Sequence, residues 1–216
     1  MSSFVLKILG IILMSIDHVG LMFFPAEYTF RALGRIAFPI FAFQTTQGFK
    51  YSKNKEKYIL RLLLFTVISQ LPYWFFLKTA IPENSFMLNV GATLTLGSLC
   101  LYILEKKSHL TLKLLLVPIT ISLARFIPMD YGWIGVSIIV LFYLLERRPI
   151  FLSFGFVSMI IIYCLAHTSP FELPAILALL PILMYDGKQG PKAKYLFYSF
   201  YPLHFLILFG IKLLIT

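Results

Sequence analysis

An all-α, polytopic bundle of transmembrane helices is the fold class this sequence predicts, and three observations carry it. Of the 216 residues 59% are hydrophobic, 17% aromatic and only 13% charged, with mean hydropathy +0.87, too little polar surface to cover a soluble globule of this size. Apolar runs recur along the chain, separated by clusters of charge, Pro or Gly. Lys and Arg collect in alternate gaps between those runs. In a soluble protein a formal net charge of +10 would point to nucleic acid; here it reads as the positive-inside signal of a multi-pass chain, and no nucleic-acid partner is expected.

The runs lie at 4–24, 31–49, 58–78, 87–104, 110–127, 131–146, 150–167, 172–185 and 195–215, about nine spans on a requirement of ~20 residues each. The first carries a lone Lys7, is followed by no small-residue cleavage site and is interrupted by Asp17-His18, so it is read as a retained span and not a signal peptide. The sixth and eighth are short. Pro174 and Pro181 predict that the eighth is kinked, tilted or partly re-entrant. Lys50, Lys53, Lys55 and Lys57 fall in the second gap, Lys106 and Lys107 in the fourth, Arg147 and Arg148 in the sixth, and Lys188, Lys192 and Lys194 in the eighth. The odd gaps hold mainly Glu27, Lys78 with Glu83, Asp130, and His167 with Glu172. That alternation puts the N-terminus in the cytoplasm and the C-terminus outside. No gap is long enough for a folded extramembrane domain, so residues 1–216 are expected to form one integral membrane domain with its function in the bundle. Cys100 and Cys164 lie inside apolar runs as packing residues, and no metal-ligand spacing is present, so no metal is predicted.

The informative residues are the polar ones that membrane helices should not contain without cause. An ionisable side chain at the centre of a span costs roughly 2.5–3.5 kcal/mol on insertion scales. At ~1.5 Å per residue, His18 lies roughly 20 Å from the cytoplasmic start of the first span, and Asp17 at the same level. Arg31 and Arg35, four apart, share one face of the second span and reach that depth from the outer side. Gln70 falls in the outer half of the third span, Asn89 near the outer end of the fourth, and His204 close to mid-membrane. Asp17 can serve as the counter-ion of Arg31 or Arg35, a structural role compatible with a chemical one. Adjacent residues project ~100° apart on a helix, so Asp17 and His18 share one pocket only if it is wide or each meets a different helix. His18 is therefore assigned the chemistry and Asp17 its orientation or charge balance. Arg125 and Asp130 read as an interface pair. His109 and Lys113 belong to a cytoplasmic boundary, and Arg61 at the inner end of the third span either snorkels or meets an anionic ligand.

Taken in order, Ile16-Asp17-His18-Val19-Gly20, Arg31-x-x-Gly34-Arg35-x-Ala37-Phe38-Pro39-Ile40-Phe41-Ala42-Phe43, Ser69-Gln70-x-Pro72, Leu88-Asn89-Val90, Asp130-Tyr131-Gly132, Tyr185-Asp186-Gly187-Lys188 and Phe197-Tyr198-x-Phe200-Tyr201-Pro202-x-His204 resemble the TraX family. That family is named for a conjugal-transfer protein that N-acetylates F-type pilin. The resemblance runs from the first span to the last and implies a multi-pass protein of the bacterial cytoplasmic (inner) membrane that uses acetyl-CoA as acyl donor. It also implies nearness to a broader group of membrane-embedded acyltransferases acting on sugars, peptides or lipids. It does not fix the acceptor, whether peptide, glycan or lipid-linked.

Acetyl transfer to an amine or hydroxyl needs a base at the acceptor proton, donors for the developing oxyanion, and groups that hold the acyl donor. On this reading His18 is general base or transient acyl carrier with Asp17 supporting it, and Arg31 and Arg35 bind an anionic group or stabilise the thioester oxygen. Gln70, Asn89 and Tyr201 supply oriented hydrogen bonds, and His204 is the alternative base. The basic cytoplasmic edge, Arg61 included, attracts CoA phosphates. Two non-enzymatic readings stand beside it: a small transporter, which would carry internal repeats not found here, and an assembly or scaffold protein of a secretion or conjugation apparatus.

Overall fold

The computed structural model describes residues 1–83, 86–106 and 109–215, without the side chain of Lys194; Lys107, assigned to the basic fourth gap, lies outside the described residues. The elements are α1 (Ser3–Phe23), α2 (Tyr28–Arg35), α3 (Ala37–Tyr51), α4 (Lys55–Ala80), α5 (Val90–Glu105), α6 (Leu110–Leu123), α7 (Gly132–Leu145), α8 (Pro149–Ala166), a 3₁₀ helix (Pro170–Ala178) running into α9 (Leu179–Leu183), and α10 (Lys194–Ile215). Among the described residues there is no strand, only an isolated bridge between Leu88 and Met129. Helix starts follow the local chemistry. Asn54 Oδ1 accepts from Lys57 N at 2.7 Å, Asn89 Oδ1 from Gly91 N at 2.9 Å, and Pro149 opens α8 where its missing N–H costs nothing.

Among the described residues four helices are long and apolar enough to cross a membrane: Ser3–Phe23, Lys55–Ala80, Pro149–Ala166 and Tyr195–Ile215. α5, α6 and α7 are apolar but shorter. Large apolar side chains such as Val67, Ile68, Phe154, Leu165, Ile207 and Leu214 stand exposed on the outer helices, a surface that lipid and not water covers. The chain is a helical membrane protein.

Two segments depart from continuous α-helix. The second predicted span is broken at Ile36, because Pro39 has no N–H for the Arg35 carbonyl and its ring crowds that oxygen. The eighth is a 3₁₀ helix over nine residues before one turn of α-helix, with Pro170, Pro174 and Pro181 withdrawing donors from an α ladder. At ~2.0 Å per residue the 3₁₀ stretch and α9 together reach about 25 Å, where fourteen α-helical residues would reach about 21 Å.

α3 sits in the middle, buried on most of its length, with α1, α5 and α7 against it. Residues of the gaps sort into two ends. At the basic end Lys50 Nζ meets Glu146 at 2.9 Å, Lys55 Nζ meets Glu105 at 3.4 Å, and the N-terminal ammonium lies 3.9 Å from Asp186. The segment around Asp186 lies across the start of α1, with Ser3 N donating to Lys188 O at 2.8 Å. At the opposite end Leu88 bridges Met129, and Tyr28 packs on Phe171. Cys100 and Cys164 are free and buried.

Candidate functional site

Among α1, α2, α3, α4 and α10, closed by the start of α5 and the Asp130-Tyr131 step before α7, lies a cavity of about 720 Å³ including its open mouth. Ile81, Met87, Arg31, Asp130 and Tyr131 line it toward the end opposite the basic one, and Met14 and Phe41 line it at depth.

Asp17 and His18 both line it, yet each meets a different helix. Asp17 is turned to α2: Arg31 Nη1 donates to Asp17 Oδ2 at 2.7 Å, and Arg35 Nη2 lies 3.5 Å from both carboxylate oxygens. Arg31 and Arg35 converge on one carboxylate because four residues return a helix to the same face. Gly34 lets α2 come this close, for a Cβ there would overlap the Asp17 carboxylate. His18 is turned to α10, with Nδ1 2.8 Å from His204 Nε2 and Nε2 3.9 Å from Asp17 Oδ2. Phe76 and Phe205 flank the His18 ring at 5.2 and 4.8 Å.

Arg35 joins the cavity to the 3₁₀ helix. Its Nη1 donates to Glu172 Oε1 at 3.0 Å, and its guanidinium lies between the rings of Phe171 and Tyr131, at 4.9 and 5.4 Å. Its Nε is buried with no hydrogen-bond partner among the described residues. Both guanidiniums are thus already matched by carboxylates, and the site is not a free cationic patch.

Sequence reasoning did not assign three of these groups. Glu172 was expected in a solvated gap, but the 3₁₀ helix brings it onto Arg35. Tyr131 precedes α7 with φ +61°, a left-handed conformation costly for a side chain of this size, and its ring stacks on Phe38 at 3.8 Å. Asp130 lines the cavity while Arg125 is exposed, so the two do not form the interface pair expected. Burial pushes the Asp130 carboxyl up to about 6 against the pull of Arg35. The Asp-Tyr-Gly step before an apolar helix was the signal available for both residues.

The remaining expected site residues divide. Tyr201 lines the cavity, and His204 stands behind His18 without lining it. Gln70 and Asn89 are spent on each other and on backbone. Asn89 Nδ2 donates to Gln70 Oε1 at 2.9 Å and to Thr66 O at 2.8 Å, while Gln70 Nε2 donates to Met87 O at 2.9 Å. They tie the start of α5 to α4, and neither side chain lines the cavity. Arg61 is exposed on α4, 5.8 Å from the Tyr58 ring centre, and does not reach the site. Among the described residues no three His, Cys, Asp or Glu side chains cluster as metal ligands.

Comparison with known proteins gives three findings. A family model described as "TraX protein" matches residues 2–212. A probable fimbrial assembly protein FimC, serogroup H1, of Dichelobacter nodosus is 31% identical over 98% of this chain and 96% of its own length. An uncharacterized protein of Rickettsia prowazekii (strain Madrid E) is 27% identical over 66% of this chain and 55% of its own length. No solved structure matches.

Proposed function

The chain belongs to the TraX family, and on that premise we propose that it is an acetyltransferase embedded in the bacterial inner membrane, moving an acetyl group from acetyl-CoA to an amine or hydroxyl of a cell-envelope acceptor. The observation that carries this reading is the histidine pair at the cavity wall: His18 faces the cavity, is backed by His204, and sits beside an aspartate already charge-balanced by Arg31 and Arg35. His18 takes the acceptor proton. Tyr201 and Tyr131 line the same wall as oriented polar groups, and Asp17 holds the two arginines in place for the charge that develops on the carbonyl oxygen.

The acyl donor supplies an activated acetyl carbon. The cavity suits its uncharged thioester end, since apolar side chains such as Met14, Leu21, Phe41 and Leu77 line it beside the polar groups and both arginines are paired. Buried amides on the basic half of α3 are the residues that would hold the donor's arm: among the described residues Gln44 Nε2 and both polar atoms of Gln47 have no partner, and the two residues are 6% and 3% exposed. The basic end, with Lys53 and Lys188, would meet its phosphates. The topology that goes with this reading has nine crossings, the basic end in the cytoplasm, and transfer toward the outside. The name of the Dichelobacter relative fits an acceptor that belongs to a surface fibre.

The test supplies membranes with labelled acetyl-CoA. His18→Ala and Arg35→Ala, inserted at normal level, are expected to lose transfer; wild-type rates from either would sink the proposal. A scaffold reading is favoured by the ion network that links α1, α2 and the 3₁₀ helix. For a scaffold, exchanging the charges of Asp17 and Arg35 restores function along with folding. For the enzyme it restores folding at best.

A further inference from the structure

We infer that His204 is a positioning residue: it holds His18 as the Nδ1–H tautomer and leaves His18 Nε2 as the unprotonated nitrogen facing the cavity. The inference deepens the transferase reading and rests on it for its chemical step, while the tautomer assignment stands on geometry.

The chain of hydrogen bonds starts at a group whose polarity is not in question. His204 Nδ1 lies 3.1 Å from the carbonyl oxygen of Phe200, one turn earlier on α10. A carbonyl accepts only, so Nδ1 carries the hydrogen. A neutral imidazole has one N–H, and His204 Nε2 is therefore a lone pair. That lone pair is 2.8 Å from His18 Nδ1, which must be the donor. His18 Nε2 is left without a proton. It points away from His204, which does not line the cavity, and toward the side where His18 does.

The competing arrangement puts a second proton on His204 and makes it a cation donating to His18. Around His204 stand the rings of Phe200, Tyr201 and Phe205, with centroids at 5.2, 5.6 and 4.0 Å. Among the described residues no carboxylate forms an ion pair with it, and a buried cation without a counter-ion is costly. Asp17 does not draw the proton to His18 Nε2 either. Its Oδ2 is 3.9 Å away, beyond hydrogen-bond reach, and already accepts from Arg31.

This separates two histidines that look alike in sequence. His18 Nε2 takes the proton of the acceptor as the acceptor's nitrogen or oxygen bonds to the acetyl carbon and the carbon–sulfur bond breaks. The proton then passes to the departing sulfur, leaving acetylated acceptor and free thiol. When His18 is protonated, its Nδ1–H still points at His204 Nε2, so the pair spreads the positive charge without moving a ring.

The experiment is nitrogen NMR of the protein labelled with ¹⁵N-histidine in lipid nanodiscs at neutral pH, with resonances assigned through His18→Gln and His204→Gln. Both rings are expected to be neutral with the hydrogen on Nδ1. A hydrogen on His18 Nε2, or a doubly protonated His204, overturns the assignment whatever the activity. The kinetic arm compares His204→Gln, whose amide oxygen can accept where Nε2 stood, with His204→Leu, which cannot. Leucine is expected to lower kcat about a hundredfold with KM little changed, within the range of a misplaced general base, and glutamine to recover most of it. A leucine variant with wild-type kcat overturns the positioning role. If the wild type itself transfers no acetyl group, the transferase reading fails, and the spectra still decide the tautomers.

Discussion

Gly34 of α2 lies so close to Asp17 of α1 that a methyl group on it would occupy the place of the carboxylate. The approach of α2 to α1 and the convergence of Arg31 and Arg35 on Asp17 are therefore one arrangement. Gly34→Ala is expected to push Asp17 off its partners and to destabilise by about 1–3 kcal/mol, as overpacking does. Gly210 in α10, with nothing near its missing side chain, is the control: alanine there should be neutral or stabilise by up to about 1 kcal/mol. Thermal unfolding in detergent compares the two, and an unshifted Gly34→Ala contradicts the packing argument.

Asp17 is shared by two guanidiniums, whereas each guanidinium is only one of its partners. Removing Asp17 leaves Arg31 without its carboxylate and Arg35 with Glu172 alone. Asp17→Ala should cost about 3–5 kcal/mol, the range for a broken buried pair. Arg31→Ala should cost less, since Arg35 remains near Asp17. Unfolding midpoints that rank the two variants the other way would contradict the shared-acceptor geometry.

Asn89 and Gln70 separate a structural role from a ligand-binding one. Asn89→Ala deletes the cap of α5 and its bonds to Thr66 and Gln70, so it should lower stability by at least about 1 kcal/mol. Transfer per folded molecule should be unchanged. A variant that stays folded yet loses turnover would return Asn89 to the site.

Asp130 predicts a pH dependence. Burial raises its folded pKa to about 6 from the ordinary 3.8, so the folded state holds this proton more tightly than the unfolded chain. That contribution is fully present below about pH 4 and is lost as pH rises through about 6. Between pH 5 and 7 the unfolding midpoint of the wild type should fall relative to that of Asp130→Asn, measured in one detergent at fixed ionic strength. Parallel curves for the two proteins would remove Asp130 as the source.

Much of this molecule was open to reading along the chain because its causes are local. Hydropathy over a span-length window marks the apolar helices: Ser3–Phe23 and Lys194–Ile215 follow their apolar runs within a residue, while the starts of α4 and α5 and the end of α6 differ from theirs by three or four. Pro174 and Pro181 announced an irregular eighth segment. A fixed rise per residue put Asp17, His18, Arg31 and Arg35 at one level, and they do meet.

What the chain order did not reveal is which faces turn toward one another. Rise along a helix sets depth, but rotation about its axis and the choice of neighbour come from packing between distant segments. His18 and His204 are 186 residues apart, and nothing local says that their ring nitrogens come within 2.8 Å of each other. Glu172 reaches Arg35 because a 3₁₀ helix, with its own angular step, carries it there. Gln70 and Asn89 bond to each other once α4 and α5 close. Depth was a property of the segment, and partnership a property of the assembled bundle.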